Sequence, residues 1–180
     1  MIFPEGIQSA VTPPEAAELA RLATGCTVLE LGAFYGYSTV VMASVAELVY
    51  SIDWHMGDDH AGSYETWDGY RANLIGYKVA DRVVTIRGRF EEEVPLLAQR
   101  GVVVDGAFLD GHHSEESVTR DLGLALMLVK KGGWIAFHDY GRCEETGHPG
   151  FRITPVADKF GVTDVVGTLA SGRVPEHDHP

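Results

Sequence analysis

The chain has 180 residues, 45% of them hydrophobic and 22% charged, which is about one globular domain and leaves no room for a second catalytic domain. Fourteen Lys and Arg against 26 Asp and Glu give a net charge of −12, which repels phosphate backbones and anionic membranes, so neither nucleic-acid nor membrane partners are expected. Cys26 and Cys143 lie far apart with no CxxC pair, which excludes a disulfide scaffold and a zinc ribbon.

The opening MIFPEGIQSA has no basic start followed by an apolar core, and no apolar run reaches membrane-spanning length, so a cytoplasmic location is expected. Pro13–Ala23, with Pro and Glu near its start, reads as a helix. Apolar, β-branched runs then recur as strands at 26–31, 48–53, 83–88, 104–110 and 133–139. Between them, 64–79 and 91–100 read as weaker helices. Residues 114–131 form a clear one, opened by Ser114, Glu115 and Glu116 and closed by Lys130 and Lys131 before Gly132. A last helix is expected at 151–160, then a short or incomplete hairpin in VTDVVGTLASGRV.

Alternation of apolar strands with helices predicts an α/β fold, a parallel sheet covered on both faces. Residues 1–172 are read as a single domain, with 173–180 as a polar tail. Two long loops, 54–63 and 140–150, emerge beyond strand carboxyl ends, where open α/β sheets bind ligands.

The first strand runs into Glu30-Leu31-Gly32-Ala33-Phe34-Tyr35-Gly36-Tyr37-Ser38. Glycines there let the backbone approach a ligand. The spacing is ExGxxxG, unlike the GxGxxG of dinucleotide binders, and there is no GK[ST] for a triphosphate. Asp53 ends the second strand, where an acid hydrogen-bonds ribose hydroxyls in nucleotide-binding α/β folds. Asp110 and Asp139 end the fourth and fifth strands; adjacent strands lie about 5 Å apart, so two such carboxylates can converge on one cation.

ELGAFYGYST, the acid after the second strand, VTIRGRFEEEVPLL, FLDGHHSEE and KKGGWIAFHDY stand in order over about residues 26–160. Together they resemble class I S-adenosylmethionine (SAM)-dependent methyltransferases. The resemblance is strongest to catechol- and caffeoyl-CoA-type O-methyltransferases, and to short bacterial members with DGDHS and GGxxxxHD motifs. It implies a three-layer Rossmann-like fold with strand order 3-2-1-4-5-7-6 and SAM as cofactor. Gly32, Tyr35 and Gly36 would line the methionine moiety, with Glu30 supporting the loop and Ser38 near the methionine carboxylate. Asp53 would hold the ribose; Trp54, Phe90 and Glu91 would border the adenine.

The same resemblance implies a methyl acceptor that is a small-molecule hydroxyl. His113, three positions after Asp110, stands where the catechol-type family has its general-base lysine and the short members have histidine. It implies Mg²⁺ or another divalent cation on Asp110 and Asp139, with His138 or His112 as replacement ligand, because Tyr140 occupies the family's Asn position. The alternative is that Asp110 caps a turn near SAM while Asp139 and His138 hydrogen-bond the loop. His55, His60 and His148 read as loop histidines in solvent, and His177 and His179 as tail. His55, Asp58, Asp59 and His60, with Glu65 and Asp68, would make the first loop acidic, and Tyr64, Trp67 and Tyr70 would add aromatic surface. A non-catalytic SAM- or nucleotide-binding module is the second functional reading, because the short N-terminus leaves the acceptor pocket without its usual wall. A second subunit could supply that wall, so a homo-oligomer is a further expectation. A nicotinamide-dependent oxidoreductase suffers from the wrong glycine spacing.

Overall fold

The computed structural model describes residues 1–57, 62–63, 65–142 and 151–176. Expectations resting on Asp58, Asp59, His60, Tyr64, Cys143, His148, His177 and His179 lie outside these. The strands are β1 (Thr27–Leu31), β2 (Leu48–Asp53), β3 (Val83–Arg87), β4 (Val104–Leu109), β5 (Val129–Phe137), β6 (Asp164–Val166) and β7 (Leu169–Arg173). The helices are α1 (Pro13–Ala23), α2 (Tyr37–Ala43), α3 (Trp67–Gly76), α4 (Phe90–Gln99), α5 (Glu115–Leu126) and α6 (Ile153–Phe160). The sheet order is β3-β2-β1-β4-β5-β7-β6, as the resemblance implies, with β7 antiparallel to both its neighbours and the other pairs parallel.

Alternation along the central strands sorts the core into two layers. Val28, Phe108, Trp134 and Ala136 face α1, α2 and α3, where Leu19, Val40 and Leu74 meet them. Leu29, Leu31, Leu109, Ile135 and Phe137 face α4, α5 and α6, against Val94, Val118 and Val156. The same parity turns Glu30, beside Leu29 and Leu31, and His138, beside Phe137, toward the α1 side.

Three elements differ from expectation. Helix α5 ends at Leu126, and β5 begins at Val129, so the Lys130–Lys131 pair lies on a strand. Lys130 pairs with Asp105 of β4, and the register shifts between Val104 and Gly106 as the strand passes Gly132 and Gly133. Helix α3 starts at Trp67 rather than 64. The final hairpin is complete but short, with a three-residue β6. Pairing continues past 172: Arg173 stands opposite Trp134, and Val174 exchanges backbone hydrogen bonds with Gly132 and Gly133, which places the expected domain boundary inside β7. Among the described residues no helix is long and apolar enough to cross a membrane.

Candidate functional site

The carboxyl ends of β1, β2, β4 and β5 open onto one cavity of about 580 Å³, a size that suits a cofactor-sized ligand. Its two ends are built on different chemistry.

At the β1–β2 end the turn is fixed by close approach. Gly32 has φ +96°, and a Cβ there would overlap the Asp110 carbonyl, so the β1 and β4 tips touch through a glycine. Gly36, at φ +86°, lies 2.9 Å (from an added Cβ) from the Tyr70 ring. Asp53 Oδ2 accepts hydrogen bonds from the backbone of Ala33 (2.7 Å) and Phe34 (2.8 Å), and its Oδ1 accepts one from His55 N (2.6 Å). One carboxylate thus fastens the glycine turn to the end of β2.

Beneath the turn, Glu30 is fully buried. Ser38 donates to its Oε1, and Thr39 and Ser51 donate to its Oε2, each at 2.6 Å. Burial pushes its pKa up to about 7, against the opposing pull of these three hydroxyls. The Ser38 hydroxyl hydrogen is therefore directed at Glu30, leaving its oxygen as an acceptor toward the cavity.

Gly32, Ser38, Asp53, Trp54, Phe90, Glu91 and Asp110 all border the cavity. Trp54 is 44% exposed, with the Arg89 guanidinium 4.7 Å above its ring. Tyr35, Gly36 and Glu30 are not on the wall. The Tyr35 ring packs edge-on against Phe34 and lies over Gly69, and its carbonyl accepts from Asn73, so it props the loop from behind. His55, expected in solvent, is 2% exposed: its Nδ1 lies 2.8 Å from Thr66 Oγ1 and its ring packs on Trp67 and Tyr70. Burial lowers its pKa.

The β4–β5 end is a cluster of ionised groups. His138 is 2% exposed, with Nδ1 3.2 Å from Asp110 Oδ1 and 3.5 Å from Asp139 Oδ2, and Nε2 3.6 Å from Glu15 Oε2. Burial alone would lower its pKa; the Asp110 charge and hydrogen bonding to Asp110, Asp139 and Glu15 instead raise it to about 12. The three carboxylates around it favour the imidazolium form.

Glu15, from the first turn of α1, accepts at Oε2 from Thr12 N and Oγ1 (2.7 and 2.8 Å). At Oε1 it accepts from Thr168 N and Oγ1 (2.6 and 2.9 Å) in the β6–β7 turn. Burial opposes its ionisation, but the bonds from His138, Thr12 and Thr168 hold its pKa far below the usual carboxylate range.

Asp139 adopts φ +59°, so its carboxylate turns back over the β5 tip. His113 Nε2 lies 2.9 Å from its Oδ2 and Arg142 Nε 2.8 Å from its Oδ1. Against the effect of burial, hydrogen bonding to His113 and His138 keeps Asp139 ionised well below the ordinary range.

His113 sits just before α5, which Ser114 caps by accepting from Ser117 N, and its ring lies 4.6 Å from that of Phe151. His112 Nδ1 accepts from Ser114 N, so it serves the turn. The Tyr140 hydroxyl donates to Asp158 on α6, away from the cluster. Asp110, His113 and Asp139 each present a donor atom within 4.8 Å of the others.

Six residues of the site were not singled out from sequence. Gln8, Ser9 and Ala10 wall the cavity where the short N-terminus was expected to leave it open, and Arg142 and Phe151 close the acceptor end. Glu15 reaches the site from 123 positions before His138.

A family model described as "Methyltransferase domain" matches residues 29–140, more than half of the chain. The O-methyltransferase TomG from Streptomyces achromogenes, solved in complex with SAM, is similar in fold: TM-score 0.72, 20% identity, covering 92% of this chain and 82% of that one. An O-methyltransferase from Bacillus cereus in complex with SAH, the demethylated product, gives TM-score 0.68, 18% identity, and coverage of 94% and 83%.

Proposed function

This chain belongs to the methyltransferase domain family, and we propose that it uses SAM to methylate a hydroxyl of a small molecule bound at the β4–β5 end of the crevice. The observation that carries the proposal is one cavity with a hydrogen-bonding cofactor half and a proton-accepting half. Asp53 Oδ1 retains one lone pair for a ribose hydroxyl after the carboxylate serves the glycine turn and His55 N. Trp54, Phe90 and Glu91 form the adenine border. Ser38, with its hydrogen turned to Glu30, suits the ammonium of the methionine end rather than its carboxylate.

A sulfonium methyl is already electrophilic, so the chain's task is alignment and removal of one proton. The acceptor hydroxyl would approach Asp110 and His113, and its proton would pass to the His113–Asp139 pair. Ionised Asp139 stabilises the imidazolium so formed. Phe151 holds the ring of His113 in place and adds an apolar wall. A module that only binds SAM has no use for a histidine–aspartate pair beside the crevice.

The donor set of Asp110, His113 and Asp139 was tested against the divalent cation that the resemblance implies. Both carboxylates already face cations of the chain, His138 on Asp110 and Arg142 on Asp139. A doubly charged ion there would sit against an imidazolium and a guanidinium, where repulsion at short range is strong. Tyr140, at the third ligand position, is bonded to Asp158. The residues do not fit a resident divalent cation, and no step is routed through one.

Calorimetry with SAM and SAH, followed by methyl transfer from labelled SAM to a panel of small hydroxyl compounds, tests the function. We expect both ligands to bind, and His113→Ala to abolish transfer while changing SAM affinity by less than roughly threefold. Binding of neither ligand would defeat the enzymatic reading.

A further inference from the structure

We propose that a built-in cation takes the place of a metal in this centre: the His138 imidazolium, clamped by Glu15 of the N-terminal helix, bridges Asp110 and Asp139 and so fixes the carboxylate that orients His113. The inference rests on the methyl-transfer reading for its purpose, but its evidence is geometric.

His138 is enclosed by three carboxylates at 3.2, 3.5 and 3.6 Å and is 2% exposed, so it cannot reach an acceptor itself. It is a positioning residue. Two neighbouring strand tips that carry like charges would splay unless something between them carried the opposite sign. A metal ion does this with oxygen ligands at about 2.1 Å, converging on a point. An imidazolium does it with N–H groups on opposite sides of a ring: Nδ1 hydrogen-bonds Asp110 at 3.2 Å, and Nε2 faces Glu15 at 3.6 Å, an ion-pair separation. Its Nδ1 serves the two aspartates and its Nε2 points to the third carboxylate.

Glu15 is the unusual member. An acid in the first turn of a helix commonly stays in water near the helix's positive end. Here it is 1% exposed and takes four hydrogen bonds, two from Thr12 and two from Thr168. Gly167 allows that approach: a Cβ there would lie 2.5 Å from Glu15 Oε1. The carboxylate is thereby locked in one orientation, aimed at Nε2. Those four donors are neutral, and the charge that faces the carboxylate is His138. Helix α1, the β5 tip and the β6–β7 turn are thus tied to the methyl-transfer centre through one ring.

The test uses the full chain and Mn²⁺ alone, read by the electron paramagnetic resonance of free Mn²⁺ and by melting temperature with and without EDTA. Wild type should show no saturable Mn²⁺ site, and EDTA should leave its melting temperature and SAM affinity unchanged. His138→Ala leaves Glu15, Asp110 and Asp139 around a vacated ring. It should acquire a Mn²⁺ site and melt several degrees higher with Mn²⁺ than without, a response absent in wild type.

Glu15→Gln keeps the shape and removes the charge. With an acceptor in hand, kcat should fall about tenfold at unchanged SAM affinity, whereas a merely structural role would lower melting temperature and SAM affinity together. A wild-type Mn²⁺ site that Asp139→Asn removes, or a folded His138→Ala that ignores Mn²⁺, would overturn the inference. If His138→Ala does not fold, the wild-type titration decides alone. The Mn²⁺ readouts need no acceptor. Loss of SAM binding would strike the methyltransferase reading, whereas Mn²⁺ binding would strike only this one.

Discussion

The two ends of the crevice hold their carboxylates in opposite ways. At the β1–β2 end, Glu30 and Asp53 are surrounded by neutral donors: three hydroxyls for one, three backbone N–H groups for the other. At the β4–β5 end, Asp110 and Asp139 face histidines and Arg142, and Glu15, held by Thr12 and Thr168, faces His138. Neutral dipoles shape a cradle without committing charge, which suits a cofactor that must bind as a cation and leave as a neutral product. Ionised partners commit charge in advance, which suits a place where a proton is taken up. The contrast is a division of labour written in hydrogen-bond donors.

The largest expected effect breaks the seam between the two ends. Gly32→Ala imposes a side chain at φ +96° and drives it into the Asp110 carbonyl. Denaturant unfolding should show a loss of about 3 kcal/mol or more, and calorimetry a SAM affinity reduced by about a hundredfold. A tolerated alanine would mean the strand tips do not touch as described.

Asp139→Asn comes next and falls on the charged end alone. It leaves His113, His138 and Arg142 facing a neutral amide, so stability should fall by about 3 kcal/mol and methyl transfer by about a hundredfold. SAM affinity should hardly change; an equal loss of SAM binding would erase the distinction between the ends.

The third prediction uses pH, because the ends answer it with opposite signs. The folded pKa of Glu30, about 7, lies above its ordinary 4.5. Its stabilising contribution as a neutral carboxyl is complete below 4.5 and disappears as pH rises through 7, a swing of roughly 3 kcal/mol. Asp139 and Glu15 are depressed below their ordinary 3.8 and 4.5. Their contribution is present above those values and disappears as pH falls below them. Unfolding free energies of wild type and Glu30→Gln, compared at pH 5 and 8, should therefore converge toward pH 8. A gap that widened would reverse the assignment for Glu30.

The smallest effect is expected at Tyr140→Phe, which removes one hydrogen bond to Asp158 at the surface of α6. Stability should change by no more than about 1 kcal/mol and transfer not at all. A large loss of transfer would bring Tyr140 into the centre.

Most of the cofactor end was legible because its determinants are local. Glu30, Gly32, Gly36 and Asp53 sit at the ends of two consecutive strands, and strand ends are what apolar runs mark well. Even there, side-chain direction escaped: nothing in AFYGYS tells that Tyr35 turns behind the loop while Phe34 faces the cavity. The charged end was legible only as a set of strand-terminal acids and neighbouring histidines.

Its wiring depends on parity and on distant chain. Trp134 and Ala136 face α1, and alternation along β5 turns His138 the same way, where Glu15 waits. A lysine pair closing a helix and one lying on a strand look alike in sequence. Asp105 on the adjacent strand decides between them here. His55 was misplaced for a similar reason, since Thr66, Trp67 and Tyr70, which bury it, follow the loop rather than precede it.

The most direct measurement is a crystal structure of the full chain grown with SAH. The account predicts density in the crevice, with the ribose at Asp53, the adenine against Trp54 and the sulfur turned toward Asp110 and His113. SAH bound elsewhere, or a crevice closed by packed side chains with SAH present in excess, would contradict it.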